Sequence, residues 1–273
     1  MSRILASVLV ASIATSAFGH EFWIAPDDFT VEPGAPITGN LITGVEFEPI
    51  TTHIFLPHSI RRYETEGPGG TRTVEGRVGD RPALSVDAPD EPGLLRIVHV
   101  TADAKLTWKT WEDFEGFVRH KAADWAIERH RDRGLPEAGF TEVYSRYARS
   151  LVAVGDGAGE DAPSGLLTEI VALANPYTDD LSDGLPVRVL YQGAPRPMAQ
   201  VEIFERAPDG AIAISTVTAD EDGVATVPVV PGRIYQLDSV VIREPSEEAA
   251  AKGGVWESLW ANLTFEVPED GAG

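Results

Sequence analysis

Pro92-Gly93-Leu94-Leu95-Arg96-Ile97-Val98-His99-Val100-Thr101 is the stretch on which the fold class turns. A Pro-Gly turn opens a short run dense in Leu, Ile and Val, the mark of a strand and not of a helix. Leu95, Ile97 and His99 share one face of it, so the imidazole points the way the apolar side chains point. Working towards the N-terminus, Ala83-Leu84-Ser85-Val86 and His53-Ile54-Phe55-Leu56 are similar runs, the latter stopped by Pro57. Ile37 to Thr43 is another, and Phe29-Thr30-Val31 leads into the turn Glu32-Pro33-Gly34. Apolar runs of about four to eight residues, separated by Pro and Gly, predict a sandwich or small barrel.

Towards the C-terminus the pattern changes. Trp108, Trp111, Phe114, Val118, Ala122 and Trp125 recur at steps that share one helical face, predicting a helix over about 108–133 that ends at Gly134-Leu135-Pro136. Phe140, Val143, Tyr144, Tyr147 and Leu151 predict a second helix over about 138–152. The aromatic stripe reads chiefly as core packed on a sheet. Gly155 to Ser164 reads as a linker or long loop. Beyond it, residues 165–175 read as a strand ending at Asn175-Pro176. From Leu185 alternation returns, with hairpin turns at Pro208-Asp209-Gly210 and Asp220-Glu221-Asp222-Gly223. Val224 to Val230, Ile234 to Ile242 and Asn262 to Val267 supply further strands. The expected class is mainly β: two β-sandwich domains, Ig-like or carboxypeptidase-regulatory-like, with a two-helix insertion between them. The expected division is an N-terminal β domain over 20–155 and a C-terminal Greek-key domain over 165–269.

Residues 1–19 read as a signal peptide. Arg3 supplies the positive end, Ile4 to Ile13 the short apolar run, and Ala17-Phe18-Gly19 the small-x-small cleavage pattern. Cleavage after Gly19 leaves His20 as the first residue, and the expected location is the periplasm. No other stretch approaches the ~20 apolar residues that span a bilayer, so direct membrane insertion is not expected. The chain has 273 residues, no cysteine and a formal charge of −21. Disulfides and thiolate metal sites are therefore excluded. So acidic a surface is a poor partner for nucleic acid and is repelled by anionic lipid.

Several motifs in order along the chain resemble a known family. His20-Glu21-Phe22-Trp23-Ile24-x-Pro26 followed by Pro33-Gly34 is the first. Tyr144-Ser145-Arg146-Tyr147-Ala148-Arg149-Ser150-Leu151 is the second, and Gly165-Leu166-Leu167-Thr168-Glu169-Ile170 with Asn175-Pro176 the third. Gly193-Ala194-Pro195, Ala199-x-Val201, Thr218-x-Asp220-x-Asp222-Gly223 and Pro231-Gly232 form the fourth, which carboxypeptidase-regulatory-like and Cna-B-like β modules share. Trp256-Glu257-Ser258 and Leu263-Thr264-Phe265 close the set. Together they resemble domain-of-unknown-function family 4198 (DUF4198), often described as the periplasmic component of cobalt/nickel ABC-type transport. The resemblance implies export, two β domains and a role with transition metals. Leu237 to Val241, where such proteins often carry His or Met, has neither here.

Nickel, cobalt and copper favour imidazole nitrogen. An N-terminal His20 offers its amine and a ring nitrogen side by side, as in a histidine brace; cleavage after Ala17 instead makes an x-x-His chelate. His99, His53 and His58 are the further candidate ligands, with Glu21 and Asp27 as minor oxygen donors. His120 and His130 lie off the aromatic helical face and are expected in solvent. The implied ligand is a metal ion or a metal chelate, delivered to a membrane transporter. Because neutral imidazole binds metal, affinity is expected to fall as pH drops towards ~6.5 and below. Gly-x-Ser-x-Gly, phosphate-binding glycine loops and His-Glu-x-x-His are absent from the sequence. The expected function is a metal-binding protein that assists uptake. The rivals are a histidine-brace copper oxidoreductase and a metal-free structural or adhesive β module.

Overall fold

The computed structural model describes residues 20–269; the expected signal peptide lies outside them. The first half of the chain forms β1 (Glu21–Pro26), β2 (Thr30–Val31), β3 (Pro36–Val45), β4 (Glu48–His53), β5 (Ile60–Gly67), β6 (Gly70–Thr73), β7 (Leu84–Asp87), β8 (Gly93–Thr101) and β9 (Ala104–Trp108). Helices α1 (Trp111–His120) and α2 (Trp125–Asp132) follow. The second half forms β10 (Phe140–Val154), β11 (Thr168–Ala172), β12 (Leu185–Tyr191), β13 (Ala194–Pro195), β14 (Gln200–Arg206), β15 (Ile212–Thr218), β16 (Val224–Val227), β17 (Arg233–Arg243), α3 (Glu247–Ala251) and β18 (Trp256–Val267). The protein is mainly β, with the two-helix insertion in its middle.

One sheet runs through both halves in the order β15-β14-β17-β18-β10-β8-β5-β6. Strand β10 is its hinge: it pairs in parallel with β18, from Glu142 beside Trp256 to Ser150 beside Thr264, and antiparallel with β8. Successive side chains on a strand point to opposite faces, and β10 uses both. Ala148, Val152 and Val154 enter one core with Ile24, Leu41, Leu95 and Ile97, under the small sheet of β1, β3, β4 and β7. Leu151 and Ala153 enter another with Val187, Val201, Leu237 and Leu263, under the small sheet of β11, β12, β13 and β16. The two sandwiches thus share their middle layer.

The expected helix over 138–152 is therefore the strand Phe140–Val154. A strand buried on both faces loses the polar–apolar alternation that would distinguish it, and Phe140, Tyr144, Tyr147 and Leu151 then match a helical period by coincidence. The expected single helix over 108–133 is two helices. Ala122 adopts φ 52 between them, in the left-handed region. Thr110 caps α1, its hydroxyl accepting from the Asp113 amide at 3.2 Å. Phe114, Phe117, Val118, Ala126 and Ile127 pack with Trp108, Trp256 and Trp260 as core on the sheet. Trp125 departs from that stripe and is 51% exposed. His130, expected in solvent, is fully buried, with its Nδ1 accepting from Trp256 Nε1 at 2.9 Å and its Nε2 3.0 Å from the Pro136 carbonyl.

The 155–164 loop is pinned and not a free linker. Buried Arg149 on β10 pairs with Asp161 at 2.6 Å, and Asn175 Nδ2 donates to the carbonyls of Gly157 and Gly159. Removing one partner of so buried a pair costs about 3–5 kcal/mol.

A buried carboxyl ties strands β9, β10 and β18 together. Glu142 accepts from Trp108 Nε1 at 2.8 Å and from the Ser258 hydroxyl, yet burial pushes its pKa up to about 7. A carboxyl whose folded pKa is raised stabilises below its unfolded value of ~4.3. It loses that contribution as pH rises through the folded pKa. Glu142→Gln, with similar shape and no charge, is expected to remove this loss. In urea melts at pH 5 and pH 8 the wild type should lose stability relative to the variant on going to pH 8. Parallel behaviour of the two would contradict the assignment.

Candidate functional site

The ladder from β10 to β9 ends at Tyr144, and that to β8 begins at Leu151. Between them the chain turns from β8 into β9 through Ala102 and Asp103, and the middle sheet opens. A pocket of about 160 Å³ sits there, lined by Phe22, Leu41, His53, His99, Thr101 and Arg146 among others. That exceeds the ~30 Å³ that one water occupies in the liquid several times over. Phe22 comes from β1 and Leu41 from β3, while His53 ends β4. His99 stands near the end of β8, and Arg146 crosses from β10.

Alternation along β8 turns His99 inward, on the face of Leu95 and Ile97, as the sequence predicts. It is 2% exposed and lies between Phe22, at 5.2 Å between ring centroids, and Tyr63, at 4.8 Å edge-on. Neither of its ring nitrogens, nor the Tyr63 hydroxyl, has a hydrogen-bond partner among the described residues. Burial, aided by the charge that His53 can carry, pushes the His99 pKa down to about 3. It is thus a neutral imidazole at any physiological pH. Leaving such polar atoms unpaired costs about 1–3 kcal/mol, and each calls for an explanation.

His53 is half-buried, 5.7 Å from Phe22 between centroids, with Nε2 2.8 Å from Thr43 Oγ1. Burial and then the Arg146 guanidinium hold its pKa below the ordinary histidine value. His20 is exposed, and the same two causes in the same order lower its pKa. Arg146 joins the three histidines: its Nη2 donates to the His20 carbonyl at 3.1 Å, and its guanidinium lies 4.7 Å from the Tyr144 ring centroid and 5.9 Å from that of Phe22. Its Nε is shut off from solvent without a partner, and no acidic side chain pairs with it among the described residues. Burial lowers its pKa, but a guanidinium keeps its charge in proteins.

Of the four predicted ligands, then, His99 and His53 line one pocket, and His20 is bound to its wall through Arg146. His58 is exposed on the short turn Pro57–Ser59 and does not line the pocket, although Ser59 does. Glu21 faces elsewhere, accepting from the Glu46 amide at 3.2 Å, and Asp27 accepts from Thr38 at 2.6 Å. Asp238, in the segment where His or Met was looked for, is buried 3.4 Å from Lys121, which also pairs with Glu202. Asp220 takes the amides of Asp222 and Val224 at 2.9 Å, the turn that its sequence predicts.

Arg146 is the residue that sequence reasoning missed. Read as a helix, its stretch places it on an unremarkable polar face; read as a strand, Tyr144, Arg146 and Ala148 fall on the side of β1. Two imidazoles suit nickel, cobalt or copper, and an unpaired ring such as His99 fits the role of ligand. The described residues hold no cluster of three or more His, Cys, Asp or Glu arranged for a metal ion. His53 and His99 are thus two nitrogen donors, short of a complete coordination shell. None of the helices among the described residues is long and apolar enough to cross a membrane.

These features define a three-layer β protein with an imidazole- and guanidinium-lined pocket where its middle sheet parts. The family model described as "Domain of unknown function (DUF4198)" matches residues 17–240, and the chain belongs to that family. No curated protein matches the chain. Among solved structures it is similar to one titled "Crystal structure of tetra-tandem repeat in extending region of large adhesion protein", at 12% identity and TM-score 0.22. That match covers 91% of this chain and 50% of the other, so the chain spans about half the length of that structure. It is also similar to the "D0-D1 domain of Intimin", at 13% identity and TM-score 0.21, covering 90% of this chain and 97% of the other.

Since the Arg146 charge lowers the His53 pKa, Arg146→Met is expected to raise it towards the ordinary ~6.5. Burial keeps part of the depression in place. Titration of the His53 ring protons by NMR reads this directly. An unchanged midpoint would show that Arg146 does not act on His53.

Proposed function

We propose that this protein is exported to the periplasm, binds a transition-metal ion there (nickel, cobalt or copper) and passes it to uptake machinery in the membrane. His99 carries the reading. A neutral imidazole, buried on the floor of an open pocket with both nitrogens unpartnered, is costly to the fold and suited to a ligand. His53 stands across the same pocket. Removal of a leader after Gly19 would free the amine of His20, the residue whose carbonyl Arg146 holds. The motif resemblance drawn from the sequence implies periplasmic cobalt/nickel transport, which agrees with this chemistry. The low pKa of His99 has a functional sense: that imidazole is unprotonated and free to accept a metal at a pH where an ordinary histidine is charged.

The protein starting at His20 is expected to bind one equivalent of Ni(II), Co(II) or Cu(II) with Kd below ~10 μM, about −7 kcal/mol. His99→Leu should weaken binding at least tenfold in a calorimetric titration. The same change removes two unpartnered polar atoms from the interior, so its melting temperature should hold or rise. Metal affinity that is indifferent to His99→Leu would overturn the reading.

A further inference from the structure

We infer that the pocket takes its metal as a complex with a small polycarboxylate, net neutral or anionic, and that Arg146 selects for that form. This rests on the metal-binding reading above and extends it to the nature of the cargo. Three observations carry it. First, the described residues place only His53 and His99 in the pocket, and no third His or acidic residue completes a shell. A first-row divalent ion needs at least four donors in the geometries these metals adopt, and with His20 outside the pocket lining the open positions suit donors that arrive with the metal. Secondly, the pocket holds more than an ion, with about 160 Å³ available beside the imidazoles.

Thirdly, Arg146 puts a permanent positive charge on the wall, with a solvent-shielded Nε that no group satisfies. A bare dication entering beside it is repelled in a setting of reduced dielectric. A carboxylate riding on the metal reverses the sign of that interaction and gives the guanidinium a planar anionic partner, the geometry for which arginine is suited. The charged groups nearest on the other elements do not supply this partner. Glu21 and Asp238 act on Arg146 only at longer range, and they cluster with Lys121 and Glu202 outside the pocket lining. Phe22 offers a ring face, and Tyr144 a ring face and a hydroxyl that hydrogen-bonds the guanidinium, neither of them an anionic carboxylate.

Titration with Ni(II) in a non-coordinating buffer, repeated with excess citrate, separates the possibilities. For a protein that binds the bare ion, citrate competes and weakens apparent binding. The inference predicts the opposite: citrate tightens apparent binding at least threefold in the wild type. Arg146→Lys, which keeps the charge, should retain the effect, whereas Arg146→Met should be weakened by citrate. Circular dichroism verifies that both variants are folded. Weakening by citrate in the wild type, or an equal response of wild type and Arg146→Met, overturns the inference while leaving a metal site in place. Absence of nickel binding under both conditions overturns the metal reading and this inference with it.

Discussion

The parallel ladder between β10 and β18 is the interaction on which the molecule is built. It joins β10, which also pairs with β8 of the first half, to the last strand of the chain, so one continuous sheet serves two sandwiches. A parallel pair needs a long connection, and here the whole C-terminal module is that connection. Because β10 sends alternate side chains into opposite cores, Ala148 and Val152 answer to β1 and β3, and Leu151 and Ala153 to β12 and β16. Neither sandwich can lose β10 and keep its core.

The candidate site follows from the same arrangement. A strand of fifteen residues is longer than either partner on its outer edge, so β8 and β9 share that edge and leave a seam between them. Arg146 stands at the seam, and β1, β3 and β4 lay Phe22, Leu41 and His53 over it. The pocket is thus a consequence of sheet topology, and its polar groups are those that the seam exposes. The unpartnered nitrogens of His99 and the unpartnered Nε of Arg146 beside them are local violations of the rule that buried polar groups are satisfied. Such violations concentrate where a protein does its work.

Much of this was legible in the sequence. Alternation in Leu94 to Thr101 placed His99 on the inner face, and Pro and Gly punctuation marked the strands. Asp220 to Gly223 read correctly as a turn. What failed did so for a physical reason. A strand buried on both faces carries no period-2 signal, so β10 imitated a helix and hid Arg146. His130 looked solvated because a helical wheel does not foresee that Trp256, far away in sequence, will donate to it. The pairing of β5 with β8 and the sharing of one sheet by both halves are long-range matters that local periodicity does not encode.

Native-state hydrogen exchange tests the shared-sheet architecture most directly. If β10 holds both sandwiches, the slowest amides of β8, in the first half, and of β17, in the second, should exchange with the same free energy. Both should respond equally to urea, as a single cooperative unit. Distinct opening energies and distinct urea slopes for β8 and β17 would show two modules that unfold independently, contrary to a fold organised around one strand.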